Sequence, residues 1–403
     1  MWLGSSPFFP GEGWRMRFPF KAALPGLVVV GWLLTPLTAG VPQGLSSGIF
    51  ILSPSPGGLV VGFPGGPAEI TAGGAWAAIG LNYFNAERGR SESVAGLLEL
   101  RAGVLRWSHR YANSNCCGDP LVRVSPDGSR VLAAGDEVVL WDRFGKVLSR
   151  MPLPEGKISI AATISDDGRR GVVVASNGTL LALDMQTGAR IWTMDGFEGP
   201  TGLSVSASGD VVAVGSVRGI FLRDRAGRRE LLWSGLWRWA AVVLDQDGDR
   251  LAAAWKLPDG TVVAGALQIP GRFRGPLWTK PLWRGTVPSV TMDAQGRTIL
   301  VGDFLGRGAA LLTWGGRILW RSSQEEGVRA DLFRDGAGFV VASRRRVEVY
   351  RLPDLTLQGE MVLPGIALKV RTARPWLLVL GTTEQGSVVP NRVWGFQMHR
   401  DRL

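Results

Sequence analysis

Leu180-Leu181-Ala182-Leu183-Asp184-Met185-Gln186-Thr187-Gly188-Ala189-Arg190-Ile191-Trp192 decides how this chain is to be read. An apolar strand, a turn at Gln186-Thr187-Gly188 and a second strand ending in tryptophan make a β-hairpin, because glycine supplies the positive φ that a tight turn needs. Just upstream, Ser165-Asp166-Asp167-Gly168 marks another turn between apolar runs. That turn recurs as Ser125-Pro126-Asp127-Gly128, Ser206-Ala207-Ser208-Gly209, Asp245-Gln246-Asp247-Gly248, Asp293-Ala294-Gln295-Gly296 and Phe333-Arg334-Asp335-Gly336. Its glycines are separated by 40, 41, 39, 48 and 40 residues. Trp192, Trp233 and Trp320 each lie 24 residues after the glycine of their own first turn. Composition alone does not produce such a phase relation.

Two hairpins in about 40 residues make four strands, which is the blade of a β-propeller. The composition agrees. Glycine supplies 56 of 403 residues, about twice the usual ~7%, and 45% of the chain is hydrophobic, enough to bury a sizeable core. The expected fold is therefore all-β, a single propeller of four-stranded antiparallel blades over residues 66–403. Blades are expected near 66–112, 119–154, 157–197, 200–236, 238–282, 285–323, 326–363 and 365–399, eight in number with seven as the alternative. The last shows only three strands, so its outer strand is expected from 49–52 or 59–63, closing the ring and covering a sheet edge. Residues 41–65, rich in Gly, Pro and Ser, read as a linker carrying that strand.

The segment from Ala182 to Trp192 resembles the repeat of PQQ-like (quinoprotein-type) propellers, with its blade-locking tryptophan. The Ser125-Pro126-Asp127-Gly128 turn followed by Val139-Leu140-Trp141-Asp142 resembles a WD40-type blade. The resemblance covers roughly residues 66–399. It implies structural blade tryptophans at Trp107, Trp192, Trp233, Trp278 and Trp320. Ser149 and Glu360 depart from it, standing where a tryptophan would fall. Such propellers host many unrelated activities, so the resemblance speaks for architecture.

Cys116 and Cys117 are adjacent and are the only cysteines. Their α-carbons lie ~3.8 Å apart across a trans peptide, below the ~4.4 Å of ordinary disulfides, so a vicinal disulfide would be a strained ring. Some quinoprotein alcohol dehydrogenases carry such a pair after a blade tryptophan, and here it follows Trp107 by nine residues. That resemblance implies the alternative function, a PQQ-dependent oxidoreductase with calcium. Against it, the sequence shows no calcium-ligand and catalytic-aspartate set. Nor does it contain a P-loop, GxSxG, HExxH or paired CxxC motif. With two histidines, His109 and His399, it offers no metal site and no catalytic residue. The alternating Asp245, Asp247 and Asp249 read as turn chemistry, since the glycine and glutamate positions of a calcium loop are missing.

Residues 22–39 form an uncharged apolar stretch preceded by Arg15, Arg17 and Lys21 and closed by Thr38-Ala39-Gly40. Residues 1–40 thus read as a signal peptide or an N-terminal membrane anchor, with Met16 an alternative start. This places the propeller outside the cytoplasm, secreted or anchored and facing outward. Of the 45 basic residues six are lysine, leaving 39 arginines, and the net charge is +11. Trp237, Arg238 and Trp239, with Arg272, Arg274, Trp283 and Arg284, interleave aromatics and cations around the 48-residue repeat. Such residues stack on ligands and clamp anions, and inserted loops carry recognition. The expected function is a non-enzymatic binding or scaffold module without cofactor. Its expected partner is a protein or an anionic cell-envelope polymer, not nucleic acid, and the chain is expected to be a monomer.

Overall fold

The computed structural model describes residues 45–51, 58–59, 68–71, 74–85, 90–100, 102, 104–113, 121–154, 157–269, 275–303, 308–322, 328–363, 365–373, 376–382 and 392–398. The leader-like stretch 1–40, Cys116 and Cys117, and Arg272 and Arg274 lie outside these residues. Among them no helix is long and apolar enough to cross a membrane.

Among the described residues the strands form eight antiparallel sheets, seven of four strands and one of five. Blade 1 contains Ala68–Ile70, Trp76–Asn85, Arg90–Glu99 and Val104–Ala112, with Gly58–Leu59 added beside its second strand. Blade 2 runs through Leu121–Val124, Arg130–Ala134, Glu137–Asp142 and Val147–Pro152. Blade 3 comprises Ser159–Ile164, Arg170–Ala175, Leu180–Asp184 and Arg190–Met194. Pro200–Val205, Val212–Ser216, Gly219–Arg223 and Arg229–Ser234 make blade 4. Trp239–Leu244, Arg250–Lys256, Thr261–Gln268 and Trp278–Arg284 make blade 5. Blade 6 holds Pro288–Met292, Thr298–Asp303, Ala309–Thr313 and Ile318–Arg321, and blade 7 holds Val328–Leu332, Gly338–Ser343, Arg346–Arg351 and Leu357–Val362. Blade 8 has three strands of its own, Ile366–Ala373, Trp376–Thr382 and Arg392–Met398. Its fourth is Leu45–Ile51 from the N-terminal side, paired antiparallel from Leu45 opposite Met398 to Ile51 opposite Arg392.

The first strand of each blade touches the first strand of the next, so first strands surround the axis and fourth strands form the rim. Ile366–Ala373 of blade 8 in turn touches Ala68–Ile70 of blade 1, and the order of neighbours returns to its start. All six first-turn glycines adopt positive φ, from 67° at Gly296 to 75° at Gly248. The hairpin geometry that the sequence pattern calls for is the one the backbone takes.

The middle strands are buried on both faces because each sheet lies between two others. Along Arg130–Ala134 the side chains alternate in destination. Val131 and Ala133 pack with Leu97 and Trp107 of blade 1, while Leu132 and Ala134 pack with Val173 and Leu183 of blade 3. Period-2 alternation therefore serves two neighbours rather than separating core from solvent. The hydrophobic interior is a series of wedges, each shared by two adjacent blades.

Between the third and outer strands of blades 1 to 7 the register slips by one residue, a β-bulge. Trp107, Trp192, Trp233 and Trp320 all occupy the place just after it, opposite Leu97, Ala182, Ile220 and Leu311. Ser149 fills that place in blade 2. In blade 7 it falls to Gly359, one residue before the Glu360 that spacing alone indicates.

Two glycines of blade 3 separate conformational strain from steric clash. Gly168 has φ of 70°, but a notional Cβ would make only ordinary van der Waals contacts, the nearest atom being 3.5 Å away. At Gly178, φ is 81° and a Cβ would meet the Phe197 carbonyl oxygen at 2.3 Å. Gly168→Ala should cost about 1–2 kcal/mol, the left-handed penalty alone. Gly178→Ala should cost ~3 kcal/mol or more, because overpacking adds to it. Urea unfolding midpoints of the two variants compare the costs directly, and equal shifts would contradict this account.

Candidate functional site

The connections between consecutive blades and the second-to-third-strand turns share one end of the propeller, here termed the linker end. At blades 4 and 5 they are sewn together by backbone hydrogen bonds. Gly235 N donates to Arg218 O at 3.1 Å, Trp237 N to Val217 O at 3.1 Å, and Arg238 N to Lys256 O at 3.0 Å. The same stitch joins Gly285 N to Gly260 O at 3.0 Å beside blade 6.

These bonds fix which side chains face inward. Trp237 is buried, stacked on Trp255 at 5.3 Å and edge-on to Trp233 at 5.2 Å. With Trp237 turned into the wedge, its two neighbours turn out. Leu236 is 72% exposed, a high value for a leucine, and Arg238 is exposed beyond it. Trp239 opens the first strand of blade 5 and is half-buried. Trp283 is buried in the place after the blade 5 bulge, packed among Ile299, Val301 and Leu312 of blade 6. Trp278 lies at the opposite end of the same strand and donates its indole N–H to the Trp314 carbonyl at 2.6 Å. Trp107 does the same to the Arg143 carbonyl at 3.0 Å. Trp237 and Trp283 thus have their ring faces occupied by protein, and Arg238, Trp239 and Arg284 remain at the surface or near it.

The structure adds residues that spacing does not single out. Lys256 ends the second strand of blade 5 and is bonded through its carbonyl to Arg238. Arg218 sits under the linker and pairs with Glu198 at 3.3 Å. Neither is a neighbour of Arg238 in sequence, so only the stitched backbone reveals them. Asp259, exposed on the adjoining turn, has its carboxyl held below the usual range, first by the Thr261 amide and hydroxyl and further by the charge of Arg284. Among the described residues, Arg238, Lys256 and Arg284 have no carboxylate within ion-pair distance.

The opposite, turn end handles its cations differently. Arg228 pairs with Asp224 at 2.7 Å, Arg297 with Asp293 at 3.4 Å, and Arg170 with Asp210. Arg250 donates to the Gln295 and Gly296 carbonyls at 3.2 and 3.1 Å. Asp245 spends its carboxylate on the amides of Asp249 and Arg250 at 2.9 and 3.1 Å, closing its own turn. Burial nevertheless raises the pKa of that carboxyl above its ordinary value. No group of three or more His, Cys, Asp or Glu side chains among the described residues is placed to hold a metal ion. No reaction step is assigned to PQQ or calcium.

With this geometry in view, comparison with known proteins is informative about the repeat. A PQQ-like family profile described as outer membrane protein assembly factor BamB matches residues 90–234, just over a third of the chain. The β-propeller domain of Cps50 (Swd1) from Myceliophteria thermophila superposes with a TM-score of 0.52 at 14% identity, covering 69% of this chain and 96% of that one. A chain in the crystal structure of a mitotic checkpoint complex superposes with a TM-score of 0.52 at 16% identity, covering 70% and 87%. The chain is a β-propeller, and its repeat is similar to those of PQQ-like and WD40-like propellers. Comparison with curated proteins finds no match.

The division between buried aromatics and exposed cations in this propeller is measurable. Trp237→Ala should destabilise the protein by about 3–5 kcal/mol, the usual cost of emptying a tryptophan site. Arg238→Ala, next to it, should change stability by no more than ~0.5 kcal/mol. Similar unfolding midpoints for the two variants would show that Trp237 is not the anchor of this linker.

Proposed function

We propose that this chain acts outside the cytoplasm as a non-enzymatic binding or scaffold module, gripping a protein or an anionic cell-envelope polymer with the linker end of blades 4 to 6. The observation that carries this reading is the contrast between the two ends. Arginines at the turn end are largely committed to carboxylates or carbonyls. Arg238, Lys256 and Arg284 are not, and exposed Leu236 sits beside Arg238. Exposed cations steer an anionic partner and fix its register. An apolar side chain beside a charged rim is how protein-binding surfaces are commonly built. Placement in the envelope draws support from residues 22–39 with their basic flank, and from the description of the matched family as an outer membrane assembly factor.

Two experiments test this reading. The triple variant Arg238→Glu, Lys256→Glu, Arg284→Glu should elute from immobilised polyglutamate at markedly lower salt than the parent chain. The exposed Arg238 and Arg284 substitutions should each change the unfolding free energy by no more than about 0.5 kcal/mol. Retention should fall with ionic strength, since exposed charges are screened within ~8–10 Å. Salt-insensitive retention that survives the triple variant would remove these residues from the site.

Export is tested separately by mass spectrometry of natively expressed protein. The expected result is a mature N-terminus close to Val41 or an intact anchor in the membrane fraction. Full-length protein bearing Met1 and found only in the cytosol would contradict an extracytoplasmic role.

A further inference from the structure

At the turn end the first turns of five blades touch one another. The Asp167 amide donates to the Ala207 carbonyl at 3.0 Å, Ala207 to Gln246 at 2.8 Å, Gln246 to Ala294 at 3.0 Å, and Ala294 to Arg334 at 2.8 Å. These bonds run in one direction from blade 3 to blade 7, and the last three join second turn residue to second turn residue. The Arg334 guanidinium then reaches back to the carboxylate of Asp166, beside the donor that starts the series. Blades 3 and 7 are four places apart whichever way the eight sheets are counted. The ion pair therefore crosses the axis of the ring.

We propose that this belt of turn-to-turn hydrogen bonds, with its cross-ring Arg334–Asp166 pair, is a latch that closes the axial channel at the turn end. A ligand reaching the axis then enters from the linker end alone. The second residue of a tight turn ordinarily gives its N–H to water, because the turn's own bond joins its first and fourth residues. Here those N–H groups are spent on the neighbouring blade, along a line that sheet pairing does not require. The ion pair is partly exposed, with side chains 59% and 25% accessible, and such a pair is weak in isolation. Its leverage comes from position, because it joins the two ends of a bonded chain, and networks of this kind act as a unit. Arg334 and Asp166 are 168 residues apart, so no local preference brings them together.

Amide hydrogen exchange on the intact chain tests the belt. The Ala207, Gln246 and Ala294 amides should exchange at least ~100-fold more slowly than unprotected amides, and Arg334→Ala should speed them by roughly tenfold while leaving Val173 in the middle of blade 3 unchanged. Unprotected turn amides, or rates that Arg334→Ala does not move, would overturn the proposal. The crossing itself is tested in a Cys116→Ser, Cys117→Ser background. Asp166→Cys with Arg334→Cys should be joined by a short bis-maleimide, whereas Asp166→Cys with Arg344→Cys, at the other end of blade 7, should not. Absence of the first cross-link, or equal yields of both, in protein with a native β spectrum would also overturn it. If that background fails to fold, the exchange measurement on native cysteines decides the matter.

Discussion

Mutual covering of adjacent sheets is the constraint on which this structure depends. A single blade of about 40 residues cannot bury its own apolar faces, so each is stable only between two others. The consequence is visible in Arg130–Ala134, whose alternate residues serve different neighbours. A chain built this way has to return to its start, because an end blade would expose a full apolar face. Donation of Leu45–Ile51 to the last sheet answers part of that need. It supplies a fourth strand from the opposite end of the chain and ties the N-terminal segment into the final blade.

The bulge in the outer pairing resolves a second difficulty. A rim of regular outer strands would offer eight open edges to other chains, and bulges are one device by which sheets avoid such pairing. The slip also turns the following side chain toward the next blade. In several blades that side chain is tryptophan, large enough to fill the widening gap near the rim. Blade 2 uses Ser149 instead, whose hydroxyl donates to the Gly188 carbonyl at 3.1 Å. Contact with the neighbouring turn is thus kept by a hydrogen bond where the aromatic ring is missing.

The two ends of the propeller use the same basic composition to opposite effect. At the turn end, aspartates that close tight turns stand near arginines of the same or the next repeat, and several of these charges are paired within the protein. At the linker end of blades 4 to 6 Arg218 pairs with Glu198, but among the described residues Arg238, Lys256 and Arg284 have no carboxylate within ion-pair distance. Net charge of +11 describes the chain as a whole and says nothing about this asymmetry. In the proposed role, this asymmetry is what would direct an anionic partner to one end of the propeller.

Much of the fold was legible in the sequence because it rests on local requirements. Gly128, Gly168, Gly209, Gly248, Gly296 and Gly336 mark positions where the backbone needs positive φ, and the apolar runs around them have strand length. The N-terminal contribution to the last blade was legible too, as a missing strand and a spare one. The candidate site was less legible. Spacing grouped Trp237, Trp239 and Trp283 with their neighbouring arginines, yet whether a tryptophan fills a wedge or faces solvent depends on the neighbouring blade and on a one-residue bulge. Lys256 and Arg218 join the linker that carries Leu236 and Arg238 only through backbone bonds between turns of different blades, and Arg334 meets Asp166 only across the ring. By itself the sequence determined the repeating unit, its turns and its number of strands, because these follow from φ preferences and period-2 patterning within a few residues. Only the tertiary structure decided which aromatics are buried, which cations stay unpaired and which end of the channel is closed, because those depend on contacts between blades far apart in the chain.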